Sequence, residues 1–268
     1  MSDVGRPPPP SGPASPFPSG VPSTAGAQGP QTVERFGRPM RHFPVAVSVE
    51  AMALAWANRE DGPHGATVVV DHEVGPRGFH GEVWTAPPAS SLACAVVLRP
   101  QLAAEEGDVC WLAGSLAVLE GLEAASGQQL DAWWPATIVK GPERTMVASL
   151  RTDVQLGPGR VKNVVVTART DLAAVGLGPE HKDAVLEAVV TGFDRVSEQL
   201  NEGAAVVAAG YEKRCAVLGQ RVKVKLRPKG ETRGRARSID RTARLEVASP
   251  TGMVERVGID QLLELSVV

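Results

Sequence analysis

The sequence lacks a cysteine framework. Its three cysteines, Cys94, Cys110 and Cys215, are odd in number, scattered, and form no C-x-x-C pair. Neither a disulfide scaffold nor a thiolate zinc site is therefore expected, and the usage suits a reducing compartment. The chain also lacks an uninterrupted apolar run near the roughly 18 residues that a membrane span needs. Its N-terminus opens with Asp3 and four prolines, Pro7 to Pro10, and carries no apolar segment of the kind that directs secretion, so a cytoplasmic protein is expected. Net charge is nearly absent, −2 at pH 7, but it is unevenly spread. From Tyr211 onward 13 Lys/Arg stand against 7 Asp/Glu, a net of +6, which leaves −8 for the rest. A basic module can attract an acidic partner or nucleic acid. Most of its cations alternate with apolar residues, however, as on the solvated face of a small β domain.

Residues 1–34 read as a disordered Pro/Gly/Ser-rich tail, because up to Gln31 they hold nine of the 22 prolines and too little apolar surface to offset ordering entropy. Residues 35–210 read as an α+β domain. Val49, Met52, Ala53 and Trp56 recur at helical spacing from Ser48 to Arg59, and Asp61-Gly62-Pro63 ends that helix. Ala66 to Val70 and Leu92 to Leu98 are continuous apolar runs, the pattern of strands covered on both faces. Further helices are predicted over Asp108 to Ala125 and Pro179 to Asn201, with short strands at 136–139, 146–150 and 161–166 between turn signals. From 211 to 268 the period changes to two, as in Val222, Val224 and Leu226, which predicts a small β module.

The most informative stretch is the turn Gly75-Pro76-Arg77-Gly78-Phe79-His80-Gly81, followed by Trp84 and Pro87-Pro88. Three glycines in seven residues allow close backbone approach, so the turn can hold main-chain amides against a ligand. Nearby His64, His72 and Glu73 do not suggest a metal site, since adjacent strand residues point to opposite faces. No metal ligand is assigned.

This turn, with its flanking strands, resembles the G-R-G-R-x-G-R-x-W substrate loop of biotin protein ligases, which share a superfamily with lipoate ligases. Leu112 to Leu122 resembles the family's central helix, Trp133-Trp134-Pro135-Ala136-Thr137 stands where it has K-W-P-N-D, and Val217 to Val224 with Gly234 and Ser238-Ile239-Asp240 resembles its SH3-like C-terminal module. The resemblance runs from about Arg41 to Val268. It implies a class II synthetase-like mixed sheet with packed helices plus a small SH3-like β-barrel. In function it implies ATP and biotin with Mg²⁺, an acyl-adenylate, and transfer to a lysine of a carboxylase's biotin carboxyl carrier domain. A homodimer is compatible with it. Nothing resembles the DNA-binding helix-turn-helix that some members carry, and no membrane partner is implied.

On that alignment Arg77, Gly78 and Gly81 match the loop, His80 takes its variable position, Phe79 replaces an arginine and Glu82 replaces another. Ala46-Val47-Ser48 stands for S-T-N, Thr145 for the lysine of K-x-A-G with Arg144 beside it, and Thr167-Ala168-Arg169-Thr170-Asp171 for G-I-G-I-N. The active-site motifs are degenerate. The catalytic candidates are Arg77 and Arg144. Candidates for holding the nucleotide and acid are Gly75, Arg77, Gly78, His80, Gly81, Trp84, Trp134 and Arg169, with Lys140 as a further source of charge.

Three readings stay open. In the first the protein is a divergent biotin–protein ligase whose remaining cations replace those lost. In the second it is a non-catalytic relative that binds a carrier domain, a ligand or another protein. In the third it transfers a lipoyl or octanoyl group, which calls for a Cys or Lys nucleophile; Cys94, inside an apolar strand, is poorly suited because burial raises a thiol's pKa.

Overall fold

The computed structural model describes residues 31–79 and 81–268; most of the expected tail lies outside the described residues. Thr32–Arg35 (β1) and Arg38–Ala46 (β2) form a hairpin around Phe36 and Gly37, at φ 53° and 70°. Such left-handed pairs match the twist of the flanking strands. Pairing of Thr32 with Arg41 draws into the sheet three residues that the sequence reading gave to the tail.

Val49–Arg59 (α1) follows, its first turn capped by Ser48, whose Oγ accepts the Ala51 amide at 3.1 Å. Thr67–Glu73 (β3), Ser91–Leu98 (β4), Val109–Ser126 (α2), Asp131–Trp133 (β5), Thr137–Lys140 (β6), Thr145–Gly157 (β7), Arg160–Asp171 (β8), Lys182–Glu202 (α3) and Ala204–Glu212 (α4) complete the large domain. Its eight strands make one mixed sheet in the order β1-β2-β3-β4-β8-β7-β6-β5. Among the described strands of this sheet only β2 and β3 pair in parallel.

The sheet separates two cores. Val49, Ala53, Trp56 and Ala57 of α1 pack on Val68, Val70, Ala93, Ala95, Val97 and Val165. The opposite face, with Cys94, Val96, Val164 and Val166, packs on α2 and α3. Coverage on both sides is why β3 and β4 read as unbroken apolar runs rather than as an alternation. It also explains α2, an 18-residue helix that by length and composition alone could cross a membrane although Glu120 and Glu123 interrupt its apolar run. It is 67% buried inside the protein, as a central core helix.

The second unit is a five-stranded antiparallel sheet formed by Arg221–Leu226 (β9), Glu231–Ile239 (β10), Leu245–Ala248 (β11), Val254–Val257 (β12) and Leu262–Val267 (β13), in the order β12-β11-β10-β9-β13. The fold is thus α+β with a small C-terminal β module, as the sequence predicts. The two units dock: Trp134 Nε1 donates to the Ala243 carbonyl at 3.1 Å, and the Ile239 amide donates to Glu212 at 2.7 Å.

The close crossing of α2 and α3 rests on two glycines. A Cβ at Gly121 would lie 2.6 Å from Val189 Cα, and one at Gly192 would collide with the Ala117 carbonyl. Both obstacles are backbone, so the helices would have to separate. Gly121→Ala and Gly192→Ala are each expected to destabilise by about 1–3 kcal/mol through overpacking, read as a lower urea midpoint at unchanged m-value. Gly210→Ala meets only the flexible Leu116 side chain at 3.5 Å and is the neutral control.

Candidate functional site

The glycine turn after β3 lies folded down on the sheet, on the face that α1 only partly covers. Its own backbone closes it. The Gly78 amide donates to the Glu82 carbonyl at 2.8 Å, the Gly81 amide to Gly78 at 3.1 Å, and the Trp84 amide to Pro76 at 3.1 Å. Gly81 is at φ 79°, which only glycine adopts freely. The Phe79 amide donates to Ser149 Oγ on β7 at 3.2 Å, and a Cβ at Gly78 would lie 2.8 Å from that same oxygen. The Phe79 ring meets Trp111 of α2 edge-on at 5.1 Å.

Beneath the turn sits an ion pair. Arg169 of β8, only 1% exposed, donates from Nε to Glu73 Oε2 and from Nη2 to Glu73 Oε1, both at 2.7 Å, and from Nη1 to the Arg77 carbonyl at 2.5 Å. Glu73 Oε1 also accepts the Val49 amide at the start of α1, at 2.8 Å. Arg169 and Ser149 are cross-strand partners, so the two side chains that hold the turn rise from neighbouring points of the sheet. A buried bidentate pair of this kind is tolerated because each charge is matched and hydrogen-bonded.

Of the residues singled out in the sequence, Gly75, Arg77, Gly78 and Gly81 share this turn, and Arg169 meets it from below. The Gly75 amide continues the sheet edge by donating to Val47 at 3.2 Å. The Arg77 side chain is exposed and turns back on Gly81, donating to its carbonyl at 3.0 Å. His80 lies outside the described residues. Trp84 is 8% exposed, its Nε1 donating to Ser91 Oγ at 2.9 Å.

Arg144 stands apart on the β6–β7 turn with its guanidinium 4.7 Å over the Trp133 ring, and Lys140 donates to the Ala174 carbonyl at 3.3 Å. Trp134 is 1% exposed and its indole N–H is spent at the junction of the two units. The structure therefore does not bring Arg77, Arg144 and Arg169 to a common point. The partners missed in the sequence were Glu73 and Ser149. A signal existed for one of them: Glu73 ends a strand that begins as an apolar run and Arg169 interrupts another, and opposite charges in buried strands tend to pair.

Chemically the arrangement is saturated. Among the described residues the turn's amides at 78, 79 and 81 are all engaged within the protein, and a carbonyl, that of Arg77, points at the buried cation. Amides and cations of this sort would otherwise receive phosphate oxygens. A second polar cluster lies under α1, where Arg151 Nε is 3.1 Å from Glu50 Oε1 and 3.5 Å from Asp153 Oδ2. Burial chiefly, then the Asp153 carboxylate, holds the Glu50 carboxyl above its ordinary value, against Arg151 and Arg169. Beyond Phe79 and Gly81 a cleft of about 510 Å³ opens between the two units, with Trp111, Arg151, Arg227 and Asp260 on its walls. Cys94, in contrast, is sealed in the core, where burial pushes its thiol up to about 12.

Breaking the pair from one side leaves a buried charge, so Arg169→Met is expected to cost about 3–5 kcal/mol. The double variant Arg169→Met/Glu73→Gln, which buries no charge and keeps an acceptor for the Val49 amide, should cost less than Arg169→Met alone, a coupling readable by urea denaturation. At Glu50 the native state holds the proton more tightly than the unfolded state. Its contribution is full below the ordinary glutamate value and lost as pH rises through the raised folded value. Glu50→Gln, which mimics the protonated form, should therefore gain stability over the parent as pH rises through that window, measured by paired unfolding midpoints.

No protein-family model matches the chain. It is similar to the bifunctional ligase/repressor BirA of Bacillus spizizenii, at 29% identity over 133 residues, and to that of Bacillus subtilis, at 28% over 133 residues. Each match takes in 50% of this chain and 40% of the relative, so the similarity spans less than half the length of these curated proteins. Among solved structures, biotin protein ligase from Aquifex aeolicus in complex with biotin and ATP superposes with a TM-score of 0.68 at 16% identity, over 85% of this chain and 99% of that one. A biotin protein ligase-like protein of unknown function from Silicibacter sp. gives 0.63 at 12% identity, over 86% and 98%. The shared architecture is the mixed eight-stranded sheet with its helices and the small C-terminal sheet. The chain thus has the fold of the biotin protein ligases, and half of it is similar in sequence to the two BirA proteins.

Proposed function

We propose that the chain is a biotin-protein-ligase-type protein whose adenylate site is closed by its own residues, and that it acts by binding a protein partner rather than by ligation. The observation that carries this reading is the Arg169–Glu73 pair. The resemblance sets Arg169 where relatives have a glycine against the ligand, so its guanidinium occupies space, and its charge is spent on Glu73. Among the described residues the turn's amides at 78, 79 and 81 are likewise spent, and Glu82 is a carboxylate where a phosphate would want a cation. These residues do not fit a polyphosphate or its Mg²⁺. Three buried, unpaired thiols suit a cytoplasmic setting.

One observation favours the second reading, a divergent ligase attaching biotin or a similar acid to a carrier-domain lysine. The cleft beside Phe79 and Gly81 has Arg151 and Arg227 on its walls, and a turn lifted off Ser149 would open into it, leaving Arg77 and Arg144 to supply charge. Lipoyl or octanoyl transfer through Cys94 is disfavoured by that thiol's burial.

Incubation of the purified protein with ATP, biotin and a biotin carboxyl carrier domain decides between these readings. The expected result is no ATP–pyrophosphate exchange, no biotinylated carrier and no calorimetric signal with biotin. Pyrophosphate exchange that disappears in Arg77→Ala would overturn the non-catalytic reading.

A further inference from the structure

The second sheet carries an arrangement that its own folding does not explain. Across the β9–β10 ladder, Lys223 stands directly opposite Arg233, and Arg221 directly opposite Arg235. Like charges on opposite positions of an antiparallel pair repel. The first rung is neutralised, because Glu231 approaches Lys223 at 3.1 Å and Arg233 at 2.6 Å. The second is not. Arg221 and Arg235 are both exposed, and no carboxylate among the described residues pairs with either. Arg235 has only its Nε engaged, donating to the Gly219 carbonyl at 2.9 Å.

This rung, which makes no ion pair among the described residues, borders a groove of about 850 Å³, with Arg221, Arg233 and Arg235 on its rim, Ala248 and Pro250 in its lining, and Val268 beside Arg221, whose carbonyl accepts the Val268 amide at 2.9 Å. The next strand contributes Ala248 opposite Arg235, so a small side chain leaves room beside the guanidinium. Gly234 brings β10 directly against the Ala248 carbonyl, where a Cβ would collide. Cations on a groove that also presents Ala248 and Pro250 suit an extended chain that alternates carboxylates with small apolar residues.

We propose that this groove is a docking site for an acidic, extended segment of a partner protein, whose carboxylates lie between Arg221 and Arg235. Charge complementarity argues for an anionic occupant. The absence of any aromatic residue after Tyr211, which is itself fully buried, leaves no platform on which bases could stack, so single-stranded nucleic acid is the poorer fit. The proposal rests on the reading that the chain acts by binding. Because peptide capture needs neither ATP nor biotin, its failure leaves the pyrophosphate result standing.

Fluorescence anisotropy of the full chain with a labelled peptide of alternating Glu and Val tests it, beside the Gln/Val peptide, a single-stranded oligonucleotide and a DNA duplex. The acidic peptide is expected to bind at low salt and the Gln/Val peptide to fail. Arg221→Gln should weaken capture about tenfold, the loss of one charge-assisted contact, while holding or raising the thermal midpoint because repulsion on the rung is relieved. Arg241→Gln, outside the groove, should bind as the parent does. Tighter binding of either nucleic acid, equal binding of both peptides, no binding of the acidic peptide, or undiminished binding by Arg221→Gln would each overturn the proposal.

Discussion

The contact between Arg169 and Glu73 organises the large domain around it. One carboxylate receives two guanidinium N–H groups and the first amide of α1, while the guanidinium's remaining arm reaches the Arg77 carbonyl. Three segments distant in sequence, the end of β3, the start of α1 and the C-terminal end of β8, thus share one buried electrostatic knot. Charges so deep are tolerated only when each is matched, and that requirement fixes where the glycine turn must lie. The turn is consequently a lid on the sheet rather than an open cradle.

That knot also separates what holds the fold from what would hold a ligand. The fold is carried by the sheet order, the glycine crossing of α2 and α3, and the C-terminal module, all of which are matters of packing. Ligand chemistry would be carried by free amides and unpaired cations, and the amides of Gly78, Phe79 and Gly81 are already occupied. A scaffold can persist while its site changes, because the two depend on different residues. In this chain the apolar framework requires nothing of Arg77, whose side chain folds back on its own turn.

Much of the framework was legible in the residues. The periodicity of Val49, Ala53 and Trp56 gave α1, and the unbroken runs in β3 and β4 gave strands buried on both faces. The length of β7 and β8 was not legible, because past Leu150 and Val166 their polar residues Arg151, Asp153, Thr167 and Arg169 face a polar cluster and the turn, not solvent. β1 was missed because its four residues are too few for a pattern and are held by pairing with β2. Trp134 looked like a stacking residue and lies sealed between units, since an indole's large apolar surface serves either purpose.

Local order therefore determined most of the elements and the fold class, because helix and strand periods and turn glycines are properties of neighbouring residues. Whether the turn is open or closed was decided only in three dimensions. Glu73 and Arg169 are 96 residues apart, and only the sheet, by laying β3, β4 and β8 side by side, brings the carboxylate and guanidinium close enough to saturate one another.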